Sequence, residues 1–253
     1  MYKTYKYRIY PNKQQEEQIQ KTFGCVRFVY NQVLAYKKEK YNDEKISLSR
    51  IDCNNWKNQV LKKEYPWLKE VDKFSLENAI INLDNAYKNF FNKISNYPKF
   101  KKKHNNKKSY KTNFCNGNIV VSFDKNKIKL PKLKWVKAKI HREFEGKIKA
   151  VTVMQVPSGK YFAFVLVETE HIPMKSTECM VGVDLGIKHL LITSDGETFD
   201  NIRVAKQYEN KLAKEQRKLS RKVKGSNNWN KQRIKVAKVY EKIHTNHNLK
   251  LLL

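Results

Sequence analysis

The chain has 253 residues, and its 53 Lys and Arg against 24 Asp and Glu give a formal charge of +29. Self-repulsion at this charge opposes compaction unless a polyanion neutralises it, and Lys and Arg match phosphate, so nucleic acid is the leading partner. A 40% hydrophobic fraction with 14 Tyr, 12 Phe and 4 Trp excludes a wholly disordered basic tail, and no apolar run approaches the roughly 20 residues of a transmembrane helix. Met1 is followed by alternating Tyr and Lys rather than an apolar signal core, so no membrane role and a cytoplasmic location are expected. Cys25, Cys53, Cys115 and Cys179 lie far apart without a C-x-x-C pair, which points to reduced thiols and away from a zinc knuckle.

Tyr2 to Tyr10 alternates, with Tyr5, Tyr7 and Ile9 on one face and Lys6 and Arg8 on the other, the period of a half-buried strand. Asn12 followed by Gln15 reads as a capping box, and Ile19, Phe23, Val26, Val33 and Tyr36 recur at helical spacing despite Gly24. A second helix is expected from about Ser49 to Lys63, ending before Pro66. A third carries Leu76, Ile80, Leu83, Tyr87, Phe90 and Ile94 on one stripe and must pack on the other two.

From Tyr97 to Lys111 the chain turns polar and basic, either a solvated loop or a phosphate-binding segment. Short strands follow at Ile119 to Phe123, Ile128 to Leu133 and Val136 to Ile140. Lys147 to Val156 and Tyr161 to Glu168 then form a hairpin through Pro157, Ser158, Gly159 and Lys160. The opening strand has no partner among the helices, so it should join this later sheet, making the helices an insertion into a β domain. Met180 to Asp184, His189 to Thr193 and a strand near Thr198 and Phe199 read as a meander. Two basic helices with thin apolar stripes follow, separated near Gly225. His244 and His247 have no carboxylate or cysteine nearby and are not expected to bind metal.

Asp184 stands out chemically. It ends an apolar strand beside a glycine turn, where a carboxylate can hold a divalent cation against a phosphate, although such a residue is more commonly a turn former or helix cap. The string VGVDLGIKHLLITSDG (Val181 to Gly196) resembles the first motif of the RuvC-like, RNase H-fold nuclease of TnpB proteins, also called OrfB, of bacterial insertion sequences. YKTYKYRIYPNKQQ, RFVYN (Arg27 to Asn31), FSLENAIINLDNAYKNFF (Phe74 to Phe91), YPKFKKK (Tyr97 to Lys103) and SYKTNF (Ser109 to Phe114) resemble further landmarks of that family in the same order. The resemblance implies an α+β fold: a helical recognition unit inserted in a wedge-like β-barrel, followed by an incomplete RNase H-like (RuvC) domain. The corresponding segments are 1–10 for the first wedge strand, 11–96 for the helical unit, 97–170 for the basic loop and wedge, and 180–253 for the partial nuclease domain.

The resemblance implies RNA-guided, metal-dependent DNA endonuclease activity, with guide RNA and double-stranded target DNA as partners and no small-molecule substrate. Two-metal cleavage needs several converging carboxylates. Asp184 matches the first, as catalytic residue and metal ligand, while no later acid in this chain fits the second or third, and the family's four-cysteine zinc ribbon is missing. Mg2+, expected for the family, is therefore not expected to bind competently, and the chain reads as a C-terminally truncated member reduced to RNA and DNA binding. The alternatives are a non-catalytic RNA-guided DNA-binding repressor and a defective transposon remnant.

By motif position the resemblance implies that Lys73, Phe74 and Glu77, with Thr112 and Asn113, read a short duplex motif flanking the target. Asn113 can pair with adenine and Lys73 with guanine or phosphate; Glu77 needs a cytosine donor or a basic neighbour. Lys101, Lys102, Lys103, Lys107 and Lys108 are expected on backbone phosphate, and Tyr97, Phe100 and Tyr110 either stack on bases or pack internally. Lys211, Arg217 and Arg221, on the first basic helix, are expected along the guide:target duplex.

Overall fold

The computed structural model describes residues 1–103, 108–170, 180–201 and 203–250. Two compact units emerge, Met1–Glu170 and His171–Leu253.

In the first unit, strand β1 (Tyr2–Tyr10) leads directly into α1 (Lys13–Glu44). Asn12 caps α1 as the sequence requires: its side chain accepts from Gln15 N at 2.9 Å while the Gln15 side chain accepts from Asn12 N at 3.0 Å. After α2 (Arg50–Trp56) the chain passes through a π-helical turn (Lys57–Leu61), α3 (Lys62–Glu64) and a 3-10 turn (Pro66–Glu70) into α4 (Lys73–Phe91). The expected apolar stripe on α4 holds for Leu76, Ile80 and Leu83, which are buried against α1 and α2. Ile94 does not belong to it, because the helix has already ended and Ile94 is 72% exposed.

Seven antiparallel strands follow the order β2-β6-β7-β1-β5-β4-β3, where β2 is Lys108–Asn113, β3 Val120–Ser122, β4 Lys127–Leu130, β5 Lys134–Lys139, β6 Lys147–Gln155 and β7 Tyr161–Glu168. β1 lies between β7 and β5, so the helices, which follow β1 in the chain, are inserted into the one sheet that β1 shares with the later strands. Among the described residues the pairing does not close a barrel, since β2 and β3 remain the two ends. At the β2 end α1 and α4 cover the edge instead, and Asn78 of α4 donates to the Lys111 carbonyl at 3.2 Å. β2 corrects the expectation of a basic loop reaching Lys111: its lysines hide a strand whose alternate residues, Tyr110 and Thr112, are buried.

The second unit contains the expected meander, β8 (Val183–Asp184), β9 (His189–Thr193) and β10 (Thr198–Asp200), and two helices, α5 (Val204–Ser220) and α6 (Asn227–Lys250). The helices pack as a hairpin, with Val236 and Val239 buried and the Gln232 amide donating to the Glu215 carboxylate at 2.6 Å. Around the meander, Met180, Leu185 and Ile187 are 94%, 73% and 84% exposed. Among the described residues no helix is long and apolar enough to cross a membrane.

Gly146, between β5 and β6, has φ +127°, and a Cβ there would lie 2.2 Å from the Glu168 carbonyl oxygen. Gly146→Ala should therefore destabilise the first unit by about 2–4 kcal/mol, combining backbone strain with a backbone clash. Urea denaturation checks this, and an unchanged midpoint would show that the loop relaxes freely.

Candidate nucleic-acid interface

The first turn of α4 is anchored by one buried carboxylate. Asp72 caps the helix, accepting from Ser75 N at 3.1 Å and from the Thr112 hydroxyl at 2.8 Å. The Ser75 hydroxyl donates back to the Asp72 carbonyl at 2.6 Å. One helical turn on, the Asn78 amide donates to the Phe74 carbonyl and, at 3.3 Å, to Asn113 Oδ1. The Thr112–Asp72 and Asn78–Asn113 bonds fasten α4 to β2, and the others satisfy buried polar groups within the helix start.

The anchored turn presents Lys73, exposed, and Phe74, half-buried, with the Lys73 ammonium 4.9 Å from the Phe74 ring centroid. Both line a cleft of about 440 Å³ that also includes Lys69, Cys115, Asn118 and Lys132. Lys69 and Lys132 escaped the sequence reading because they come from a 3-10 turn and the β4–β5 loop, brought to the cleft only by folding. Glu77 is half-buried on α4. Asn113 ends β2, and its carbonyl accepts from the Asn118 amide at 3.1 Å.

Thr112 is not offered at this surface. It is 1% exposed, because it points inward from β2 and gives its hydroxyl to Asp72. Its contribution is to hold the first turn of α4 in place.

The basic segment is similarly mixed. Asn31 of α1 clamps its backbone, donating to the Lys101 carbonyl at 3.0 Å and accepting from Lys101 N at 2.8 Å. This explains the position of Asn31 in the RFVYN string, to which sequence reasoning assigned no role. The Lys101 ammonium lies 4.0 Å from the Tyr30 ring centroid, and desolvation there pulls its pKa down. Lys38 stands over Tyr97 and Phe100 at 5.1 and 5.0 Å, and Tyr97 shares a 3.0 Å hydroxyl contact with Tyr87. Lys102 and Lys103 are exposed, whereas Lys107 lies outside the described residues. Lys108 is a β2 residue rather than a loop cation, its ammonium donating to Gln20 Oε1 at 3.3 Å. Tyr110 is core, edge-on to Phe23 at 5.8 Å, and cannot stack on a base.

Behind α4, Lys57 on the π-helical turn is fully buried and donates to Asn54 Oδ1 at 2.6 Å. Desolvation lowers its pKa to about 8, Lys62 adds to the shift, and Glu77 opposes it. A basic group inside the fold therefore lies within electrostatic reach of Glu77.

In the second unit, Asp184 ends β8, exposed, opposite Ile192 on β9. His189 Nδ1 and Asp200 Oδ1 pair at 3.0 Å across β9 and β10. Among the described residues no group of three or more His, Cys, Asp or Glu gathers to hold a metal. The donors described therefore do not fit a two-metal centre. Lys211, Arg217 and Arg221 are exposed on or just after α5, with Lys214 and Lys218 extending the same cationic run.

Two family models match the chain: a helix-turn-helix domain of the OrfB/IS605 type over residues 1–45, and an OrfB/IS605 "probable transposase" over residues 164–248. Over residues 1–45 this chain forms β1 and the single helix α1. "Putative RNA-guided DNA endonuclease InsQ" of Escherichia coli K12 is 34% identical over 93% of this chain and 58% of its own length. A "Putative RNA-guided DNA endonuclease" of Streptomyces pristinaespiralis is 32% identical over 95% of this chain and 60% of its own length. The chain thus spans about three fifths of the length of these relatives. A Cas12f1 chain from a complex with sgRNA and target DNA aligns over 97% of this chain and 65% of its own, at 14% identity and a TM-score of 0.40. The protein is a member of a transposon-encoded class. It belongs to the OrfB, or TnpB-type, transposase family of insertion sequences.

Two outcomes are expected at the α4 anchor. Thr112→Val should cost about 1–3 kcal/mol in urea denaturation, because Asp72 loses a charge-assisted partner, while Thr112→Ser should retain most of the stability. Lys57→Met should stabilise the protein at pH 7. Between the folded pKa of about 8 and the ordinary value of 10.5 the unfolded lysine holds a proton that the folded one has released, so the wild type gains stability as pH rises through that window. The advantage of the variant should therefore shrink from pH 8 to 10.5, as thermal unfolding across that range would record.

Proposed function

We propose that this chain carries the nucleic-acid-recognition part of an RNA-guided DNA endonuclease of the TnpB type, with guide RNA and duplex DNA as its partners. The observation that carries the reading is the cleft at the start of α4: an apolar ring, Phe74, between Lys69, Lys73 and Lys132, on a turn held rigid by the Asp72 network. A fixed turn with cations around one flat side chain suits a groove edge and its phosphates, since phosphate contacts set register while a few side chains read bases. Lys73, Phe74, Glu77 and Asn113 are assigned to the flanking motif, with Thr112 as their support. Lys101, Lys102 and Lys103 are assigned to phosphate, and Lys211, Arg217 and Arg221 to the guide:target duplex. The descriptions of both curated relatives as RNA-guided DNA endonucleases support the choice of partners.

The second unit is read as part of a RuvC-like domain, with Asp184 at the end of its first strand as the first metal-binding carboxylate. One carboxylate cannot hold two cations, so this polypeptide by itself is assigned binding rather than cleavage.

The test uses protein loaded with its co-purifying RNA. Lys101→Gln/Lys102→Gln/Lys103→Gln should weaken binding of matched duplex DNA and lower its salt-dependence slope by about one per lost phosphate contact. Lys73→Gln should weaken it several-fold, whereas Asp184→Ala should leave binding unchanged. Absence of RNA of defined sequence, or Mg2+-dependent cleavage by this chain abolished by Asp184→Ala, would overturn the assignment.

A further inference from the structure

At the end of α4 opposite the cleft, the chain leaves the helix through a left-handed turn. Lys93 has φ +59°, its N–H donates to the Phe90 carbonyl at 2.9 Å, and the Ile94 N–H reaches back to the Asn89 carbonyl at 2.8 Å. In this termination the residue in the place of Ile94 commonly folds its side chain onto an apolar residue of the last helical turn. Here that turn offers Lys88 and Asn89, so Ile94 stays 72% exposed, and Phe91, three residues earlier, is 73% exposed. Rings back Phe91: its centroid lies 5.3 Å from Phe90 and 6.4 Å from Tyr87, and Tyr97 stands edge-on to both of these. The two apolar side chains are therefore presented on a hydrogen-bonded, packed backbone.

Their border is cationic. From Asn85 to Lys103 the sequence holds six lysines and no acid, and Asp84, just before, is already paired with Lys88 at 3.2 Å. Lys93 and Lys99 are exposed, and α1 brings Lys38 over the Tyr97 ring at 5.1 Å.

Charge and ring geometry decide what can cover such a patch. A second copy would set Lys93 and Lys99 against their own counterparts with no acid between them, and this like-charge juxtaposition opposes pairing. An unpaired base could cover Phe91, but the rings offer no shelf for its neighbours. Phe90 is tilted by 58°, Tyr97 stands at 81° to Phe90, and Tyr87, the ring nearest to parallel with Phe91, has Lys37 over its face. Ile94 has no π face at all. A protein segment with apolar anchors flanked by carboxylates meets both demands, since the anchors cover Phe91 and Ile94 while the acids answer the lysines.

We propose that the turn ending α4 is a docking surface for an acidic amphipathic helix of another protein, with Phe91 and Ile94 as apolar contacts and Lys93 and Lys99 as charge contacts. The proposal does not depend on the assignment of RNA and DNA partners.

The test is fluorescence anisotropy with the full chain and a labelled peptide of about 18 residues, built as a helix with Leu at i, i+3, i+4 and i+7 and Glu on both flanks. A scrambled peptide of the same composition shares the general attraction to a chain of charge +29, so only the ordered one reports the patch. The ordered peptide should bind roughly tenfold more tightly than the scrambled one, and Phe91→Ser/Ile94→Ser should abolish that preference. Lys93→Gln/Lys99→Gln should lower its salt dependence. With the wild type, a benzophenone on a central position of the ordered peptide should crosslink within residues 88–100, a readout that needs no variant to fold. Equal binding of the two peptides, crosslinks elsewhere, or a folded double-Ser variant that keeps the preference would overturn the surface. So would single-stranded RNA that loses the same factor on the double-Ser variant, which would give the patch to nucleic acid. A wild-type dimer in sedimentation that this variant dissolves would overturn it in favour of a second copy.

Discussion

Strand β1 is paired on both edges, to β7 from Tyr2 to Ile9 and to β5 from Arg8 to Tyr10. That double pairing is the constraint on which the first unit depends. The first ten residues cannot settle until strands more than a hundred residues later have formed, so the intervening helices are gathered into a loop with both ends pinned in one sheet. Non-local pairing of this kind is costly in chain entropy and is offset by the apolar face it buries, Tyr7 and Ile9 against Ala163 and Val165.

Within that frame the Asp72 carboxylate decides where the helices meet the sheet. It accepts from the Ser75 amide at the α4 start and from the Thr112 hydroxyl together, so the helix cannot rotate without abandoning a buried charge-assisted bond. Lys73 and Phe74 inherit that rigidity, and Lys69 and Lys132 are brought beside them from separate loops. The buried Lys57 behind Glu77 adds positive charge from inside the fold rather than from its surface. The clamp of Asn31 on Lys101 does for the basic segment what Asp72 does for α4, fixing a backbone so that its cations have defined positions.

The chain's surplus of positive charge is therefore not spread uniformly. It borders the α4 cleft, the Lys101 segment, the open face of the sheet and α5, each time beside an aromatic ring or on a helix with few acids. The second unit differs in kind: its meander places Asp184 at a strand end while leaving Met180, Leu185 and Ile187 exposed, an apolar surface on which few polar groups converge.

Patterns confined to a few consecutive residues were readable directly. The alternation of β1, the Asn12–Gln15 cap, the buried stripe of α4, the β6–β7 hairpin and the meander around Asp184 each follow from local periodicity or turn chemistry. So did the candidate residues Lys73 and Phe74, through family resemblance rather than through any property of their neighbours. Tertiary structure alone decided that Lys108 to Asn113 is a strand, since lysines conceal its alternation and its partner β6 lies some forty residues away. It alone decided that Thr112 and Tyr110 face inward, that Ile94 falls beyond its helix, and that Lys6 and Arg8 stand over phenylalanines from β7. The physical reason is common to all of these: sequence periodicity shows which side chains share a face, whereas what that face meets is set by segments distant in the chain.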